Sequence, residues 1–220
     1  LDISEGLACL KEFKEPTCVI IKHNNPCGVA SDSTVKKSFI KAYQADSISA
    51  FGGIVLFNRR INKNLSLLLK KYYFEIIVAP DFYKNSKKIF ETKKKLILIS
   101  SININSNNIE FKTVASGILF QNKNNFKISR KSIKLVSSKS ASFKTVEDLL
   151  FAFKVAKHVK SNAIVLANNK QTVGIGAGQM SRIDSIRLAL MKYKDNFFSK
   201  TFVCSSDAFF SFTDNIQLLK

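Results

Sequence analysis

The chain has 220 residues, enough for one large domain or two small ones around a substantial core. Hydrophobic residues make up 45%, yet runs such as Leu96-Ile97-Leu98-Ile99 fall far short of the roughly 20 apolar residues a bilayer-spanning helix needs. The net charge of +19 raises nucleic-acid binding, but the lysines are spread along the chain rather than interleaved with aromatics in one stripe.

All but five of the 35 basic residues are Lys, the exceptions being Arg59, Arg60, Arg130, Arg182 and Arg187. Lys, Asn, Ile and Phe are abundant together, which reads as genome base bias rather than ligand selection. Nucleic acid and membrane are therefore not expected as partners. Asp2 and Glu5 stand where a signal peptide would carry basic residues, and a cytoplasmic location is expected. Leu1 opens the sequence, so the natural start is expected upstream. Cys9, Cys18, Cys27 and Cys204 form no CxxC pair, which speaks for reduced thiols and against a zinc ribbon.

Residues 3–14 read as a helix leading into the apolar strand Cys18–Ile21. Lys22-His23-Asn24-Asn25-Pro26-Cys27-Gly28 reads as a loop. A helix follows over 34–45, with Val35, Phe39 and Ala42 on one face. Ser49–Gly53 is a glycine turn before the strand Ile54–Phe57. Leu65–Tyr73 is expected to be helical, Glu75–Pro80 and Lys95–Ser100 to be strands, and Gly117–Phe120 a short strand between polar loops at 101–109 and 121–130.

A second α/β run begins with a helix capped by Thr145, whose stripe is Val146, Leu149, Leu150, Phe153 and Ala156. Strands at Ala163–Ala167 and Thr172–Ile175 flank a turn at Asn168-Asn169. Gly176-Ala177-Gly178 then enters a helix over 181–191. The alternation predicts an α/β fold. The halves show no strict sequence repeat. The expected organisation is a first unit over 1–120, a connecting segment over 121–144, and a second unit over 145–220.

Two segments could carry chemistry. Lys22-His23 follows a buried strand, where an imidazole can act as general base and an ammonium can stabilise developing negative charge. The same spacing also suits a capped loop with a solvent-facing Lys and a structural His. Cys27 and His158 add too few ligands for a metal site, so none is expected. Gly174-Ile175-Gly176-Ala177-Gly178, with Arg182 beyond it, offers backbone N–H groups and a guanidinium to an anion. It also suits a plain strand-to-helix turn, and it fails the GxGxxG pattern at Gln179. Asn162 reads as a helix cap and Glu75 as an edge charge. The aromatics between Asp207 and Asp214 suit either core packing or a stacked heteroaromatic ring.

Together, IKHNNPCGVA at 21–30, SAFGGIVLFNR at 49–59, EIIVAP at 75–80, VAKHVKSNAIVLANN at 155–169, TVGIGAGQMSRIDS at 172–185 and SDAFF at 206–210 resemble the AICAR transformylase region of the AICAR transformylase/IMP cyclohydrolase family. The resemblance implies tandem cytidine-deaminase-like α/β/α subdomains without zinc ligands, the second incomplete. It implies a homodimer, and formyl transfer from 10-formyltetrahydrofolate to the 5-amino group of AICAR. It casts His23 as proton acceptor and Lys22 as transition-state stabiliser. Gly52, Glu75, Asn162 and Arg182 fall at AICAR-side positions, and Ile183, Phe209 and Asp214 at folate-side positions. Glu75 stands where the family often has Asp, Ser211 where it usually has Pro, and Thr213 where it often has Arg. The family's cyclohydrolase domain is outside this sequence. A non-catalytic remnant or fragment of that enzyme, keeping only fold and dimerisation, is the alternative reading.

Overall fold

The apolar run Cys18–Ile21 forms the middle of strand β1 (Thr17–Lys22), and its side chains alternate between two cores. Val19 and Ile21 enter one, Cys18 and Ile20 the other, so the strand is covered on both faces. The computed structural model describes residues 1–100, 109–197 and 201–220. The expected loop over 101–109 lies outside the described residues except for Ile109.

In chain order the elements are α1 (Asp2–Leu10), β1, β2 (Asn25–Ser31), α2 (Val35–Ala45), α3 (Ser47–Ala50), β3 (Ile54–Phe57), α4 (Lys63–Leu69), β4 (Ile76–Ala79), α5 (Lys84–Phe90), β5 (Ile97–Ser100) and the hairpin β6 (Ile109–Val114) and β7 (Gly117–Asn122). A 3-10 turn at Arg130–Ser132 precedes α6 (Phe143–Ala156), β8 (Ile164–Asn168), β9 (Gln171–Gly176), α7 (Arg182–Asn196), β10 (Val203–Ser206) and α8 (Asp214–Leu218). No described helix is long and apolar enough to cross a membrane.

Eight strands form one mixed sheet in the order β10-β8-β9-β2-β1-β3-β4-β5. Pairings are antiparallel from β10 through β3 and parallel from β3 to β5. Helices α1 and α6 cover one face, where Leu7, Leu10, Phe151 and Val155 meet Val19, Val29, Leu56 and Val165. The other face carries α2, α4 and α5 over one half, and α7 over the other through Ile186 and Ala189. Burying each such aliphatic or aromatic side chain contributes about 1.5–3 kcal/mol before entropy is counted.

The inner six strands, β10-β8-β9 and β2-β1-β3, are palindromic about the β9-β2 seam, and apart from α3 the two runs match. Helix, hairpin, helix and strand recur as α1, β1-β2, α2, β3 and as α6, β8-β9, α7, β10. Both hairpins carry a register shift at the same place, between Ile20 and Ile21 and between Leu166 and Ala167. Gly28 and Gly174 occupy equivalent sites. A Cβ on Gly28 would stand 2.0 Å from the Ala42 carbonyl oxygen, and one on Gly174 would stand 2.1 Å from that of Ala189. Each glycine lets a helix backbone rest on its strand.

Several sequence expectations are corrected. The first helix stops at Leu10 rather than residue 14. The expected loop at 22–28 is a hairpin with a two-residue turn at His23-Asn24, and Pro26 lies within β2 at the register shift. The helix expected over 65–73 spans Lys63–Leu69, because Tyr72 and Phe74 turn inward to pack against Phe39 and Tyr43. Ser142, not Thr145, caps α6, its hydroxyl accepting from the Thr145 N–H. The buried stripe of α6 is Asp148, Phe151, Ala152, Val155 and Ala156, and Phe153 is exposed. The second hairpin turns at Asn169-Lys170 rather than Asn168-Asn169. Strand Gly117–Phe120 extends to Asn122 and pairs with β6.

In that outlying hairpin every residue of both strands is exposed. Cross-strand pairing puts Phe111 opposite Phe120 and Thr113 opposite Ile118, with Ile109 on the same face. One side of the hairpin is therefore largely apolar, with Thr113 and Asn122 as its polar members.

Candidate functional site

One end of the sheet gathers most of the residues singled out in the sequence. The antiparallel register places the end of β1 beside the start of β3 through Ile21 and Ile54. The parallel register adds the start of β4 through Ile76. Across the seam, Ala30 pairs with Gln171 in antiparallel sense, which brings the far end of β9 to the same edge as Asn25. Gly176 pairs with Ile164, and Ile164 with Ser206, completing the row.

His23 and Asn24 both hold left-handed backbone, with φ of 53° and 61°. His and Asn are among the few side chains that adopt it readily. The turn is fixed from outside by Asp2 in the first turn of α1. One carboxylate oxygen accepts the His23 N–H at 3.1 Å and the other the Asn24 N–H at 3.0 Å. The His23 imidazole stands exposed at the edge. Lys22 donates its ammonium to the Phe51 carbonyl at 2.7 Å. That leaves two of its three donors available to a ligand.

Phe51 and Gly52 follow α3, which Asp46 caps through the Ser49 N–H and which the Asp46–Lys192 ion pair (2.8 Å) ties to α7. Burial pushes the Asp46 carboxyl up, but the Lys192 ammonium and the Ser49 donors outweigh it and hold the group below the usual carboxylate range. Gly52 has φ of +69° and donates to the Tyr73 carbonyl, and the Phe51 and Tyr73 rings lie 5.0 Å apart. A side chain on Gly52 would stand 3.6 Å from the Tyr73 ring and 3.9 Å from the Glu75 carboxylate. Glu75, itself exposed, thus lies beside the Lys22 loop.

Across the seam, Arg182 lies at the N-terminus of α7 with Ser181 as cap. Its Nε donates to Ser206 at 3.0 Å, Nη1 to the Asn162 side-chain oxygen at 2.9 Å, and Nη2 to Asp207 at 3.0 Å. Asn162 donates to the Gln179 and Met180 carbonyls, each at 3.0 Å. Its role is to join the glycine turn to this corner rather than to cap the preceding helix. The two clusters connect through Asn25, whose side-chain oxygen accepts the Lys160 N–H at 2.9 Å, while the Lys160 carbonyl accepts the Gly178 N–H at 2.8 Å.

The structure therefore brings Lys22, His23, Gly52, Glu75, Asn162 and Arg182 to one edge. Ile183 sits half-buried in the first turn of α7. Phe209 is 80% exposed just beyond Asp207, and Asp214 binds its neighbour Asn215 at the start of α8. Neither joins the cluster. Cys27 lies in β2 within the hairpin, where burial and the nearby Asp46 carboxylate push its thiol up to about 12, so it offers no thiolate near neutral pH. Sequence reasoning missed Asp2, Asn25, Phe51 and Tyr73. Asp2 was detectable only through the internal repeat, because Asp148 stands in the matching place. A separate cavity of 570 Å³, lined by Lys41, Phe143, Asp148 and Lys170, lies at the opposite end of the sheet beside the second hairpin turn.

This edge combines an exposed imidazole, a partly engaged ammonium, a carboxylate and a guanidinium corner, which suits proton transfer next to an anionic or carbonyl oxygen. The family model described as AICARFT/IMPCHase bienzyme matches residues 1–192. The chain belongs to that family. Three AICARFT/IMPCHase relatives illustrate the likeness, each carrying the name bifunctional purine biosynthesis protein PurH. The protein of Caldicellulosiruptor saccharolyticus is 42% identical over 219 residues, which is 99% of this chain and 42% of the relative. That of Buchnera aphidicola subsp. Schizaphis graminum is 43% identical over 221 residues, covering 98% and 42%. That of Persephonella marina is 42% identical over 221 residues, covering 99% and 42%. The chain thus spans less than half the length of these AICARFT/IMPCHase relatives.

Proposed function

We propose that this chain is the transformylase part of a purine-biosynthesis enzyme, moving a formyl group from 10-formyltetrahydrofolate to the 5-amino group of AICAR to give FAICAR. The observation that carries the proposal is the Lys22-His23 turn, held at the same sheet edge as the Asn162–Arg182 corner. The AICAR amine is a weak nucleophile because its lone pair delocalises into the ring and carboxamide. As its nitrogen bonds to the formyl carbon, His23 takes the amine proton and a free Lys22 donor steadies the oxyanion. The C–N bond to the folate N10 then breaks, and that nitrogen leaves with the proton that His23 has taken. Gly52, Glu75, Asn162 and Arg182 serve the AICAR side.

Ile183, Phe209 and Asp214 serve the folate side in this reading, and the exposed Phe209 ring offers a stacking face. A homodimer belongs to this reading as well. The palindromic runs agree with tandem cytidine-deaminase-like units over 1–120 and 145–220, joined by 121–144. Cytoplasmic location accompanies this role.

A second reading, a fold-keeping remnant, draws on one observation. Asn162 and Arg182 already direct most of their donors into the protein. Tetrahydrofolate release by the purified chain, given AICAR and 10-formyltetrahydrofolate, decides between them. Turnover abolished by His23→Ala supports the enzyme; a folded chain without turnover means that this chain alone is a fragment or a remnant rather than a working enzyme.

A further inference from the structure

We propose that Asp2 is a positioning residue for His23, and that its carboxylate sets the orientation in which the imidazole meets substrate. The argument begins with the repeat. In the second half, Asn169 and Lys170 form the matching turn with φ of 51° and 53°, and Asp148 accepts their N–H groups at 3.0 and 2.8 Å. The same device therefore occurs twice: a first-half and a second-half helix each lend one carboxylate to both N–H groups of a left-handed turn. Two adjacent L-residues in that backbone region are strained, and a bidentate acceptor offsets the strain.

The copies differ in what the turn presents. Asp148 is buried and its turn carries Asn169 and Lys170, with Lys170 engaged by Glu15 and Glu147. The Asp2 turn carries the exposed His23. Loss of Asp148 removes a structural clamp alone, whereas loss of Asp2 also frees the backbone from which the imidazole projects. The pair is a built-in control. The catalytic consequence rests on the transformylase reading; the orientation of His23 does not.

The test uses the matched variants Asp2→Asn and Asp148→Asn, with Asp2→Glu as conservative rescue, in the isotopically labelled chain. His23 and His158 are its only histidines, so two imidazole correlations report on them separately. Three-bond couplings about χ1 are expected to show one His23 rotamer in the parent chain, rotamer averaging in Asp2→Asn, and no change at His23 in Asp148→Asn. In the transformylase assay, Asp2→Asn is expected to lower kcat about 10- to 100-fold, as misplacement of a catalytic group does, with KM for AICAR nearly unchanged. Asp2→Glu should recover part of both readouts. Unaltered His23 couplings in Asp2→Asn overturn the proposal, as does an equal fall in kcat for Asp148→Asn. A parent chain with ordered His23 but no turnover would mean that this chain alone is a fragment or remnant rather than a working enzyme, and the couplings would still decide the role of Asp2.

Discussion

Replacing Arg182 with Lys tests whether the Asn162 corner depends on a guanidinium fork or merely on a positive charge. Arg182 reaches three acceptors on three segments, Asn162 before β8, Ser206 at the end of β10 and Asp207 beyond it. The Arg182 and Asp207 side chains are only 15% and 18% exposed. A lysine ammonium radiates from one point and can keep the Asp207 contact, but cannot also reach Asn162 and Ser206 from the directions the fork uses. Two hydrogen bonds are lost, each worth about 0.5–1.5 kcal/mol, so the expected destabilisation is about 2 kcal/mol. Urea unfolding at 25 °C, with an unchanged m-value, measures it. Arg187→Lys is the comparison, because Arg187 is 65% exposed and pairs with Asp184 on its own helix. That change is expected to fall within about 0.5 kcal/mol. If Arg182→Lys is as mild as Arg187→Lys, the corner is not held by the fork and the reasoning fails.

Glu12 accepts from Lys157 at 2.7 Å and lies 3.4 Å from the His158 ring nitrogen. Burial pushes its carboxyl up, but hydrogen bonds from His158 and Lys157, with their charge, outweigh that and bring it down to about 2 from an ordinary 4.5. The stabilisation is therefore present above pH 4.5 and lost as pH falls toward 2. The advantage over Glu12→Gln, about 1–2 kcal/mol after solvent screening, should shrink steadily in urea titrations below pH 4.5. Gly28→Ala should cost about 1–3 kcal/mol or more in thermal unfolding, since the new methyl meets a helix carbonyl rather than a movable side chain. Burial holds the Cys204 thiol at about 12 and those of Cys9 and Cys18 well above the ordinary range. With Cys27 likewise raised, a disulfide reagent at pH 8 should react slowly with the folded chain and rapidly after denaturation.

Much of the sheet was legible because its central strands are short apolar runs, as in Ile54–Phe57 and Ile164–Ala167. The first hairpin was not legible. Asn24-Asn25-Pro26 has loop composition, and only the register shift explains how proline fits inside β2. The stripe of α6 was misphased for a related reason: Asp148 is buried to serve a turn, and a hydrophobicity pattern assigns an acid to the solvent side. At the candidate site, Lys22 and His23 stood out as chemistry-bearing types. Asp2 did not, because an acid in a first helical turn already has an ordinary electrostatic explanation. The convergence of Gly52, Glu75, Asn162 and Arg182 on one edge depends on strand order, which local patterns do not encode.

The β6-β7 hairpin gives the chain an unusual colloidal character. Its Ile109, Phe111, Ile118 and Phe120 face is open to water, while the molecule carries a net charge of +19. At low ionic strength the charge keeps copies apart before these apolar surfaces can touch. Added salt shortens the reach of that repulsion to about 8 Å at 0.15 M and leaves the attraction intact. Salt, which keeps many basic proteins from sticking to acidic contaminants, should here drive the chains toward one another.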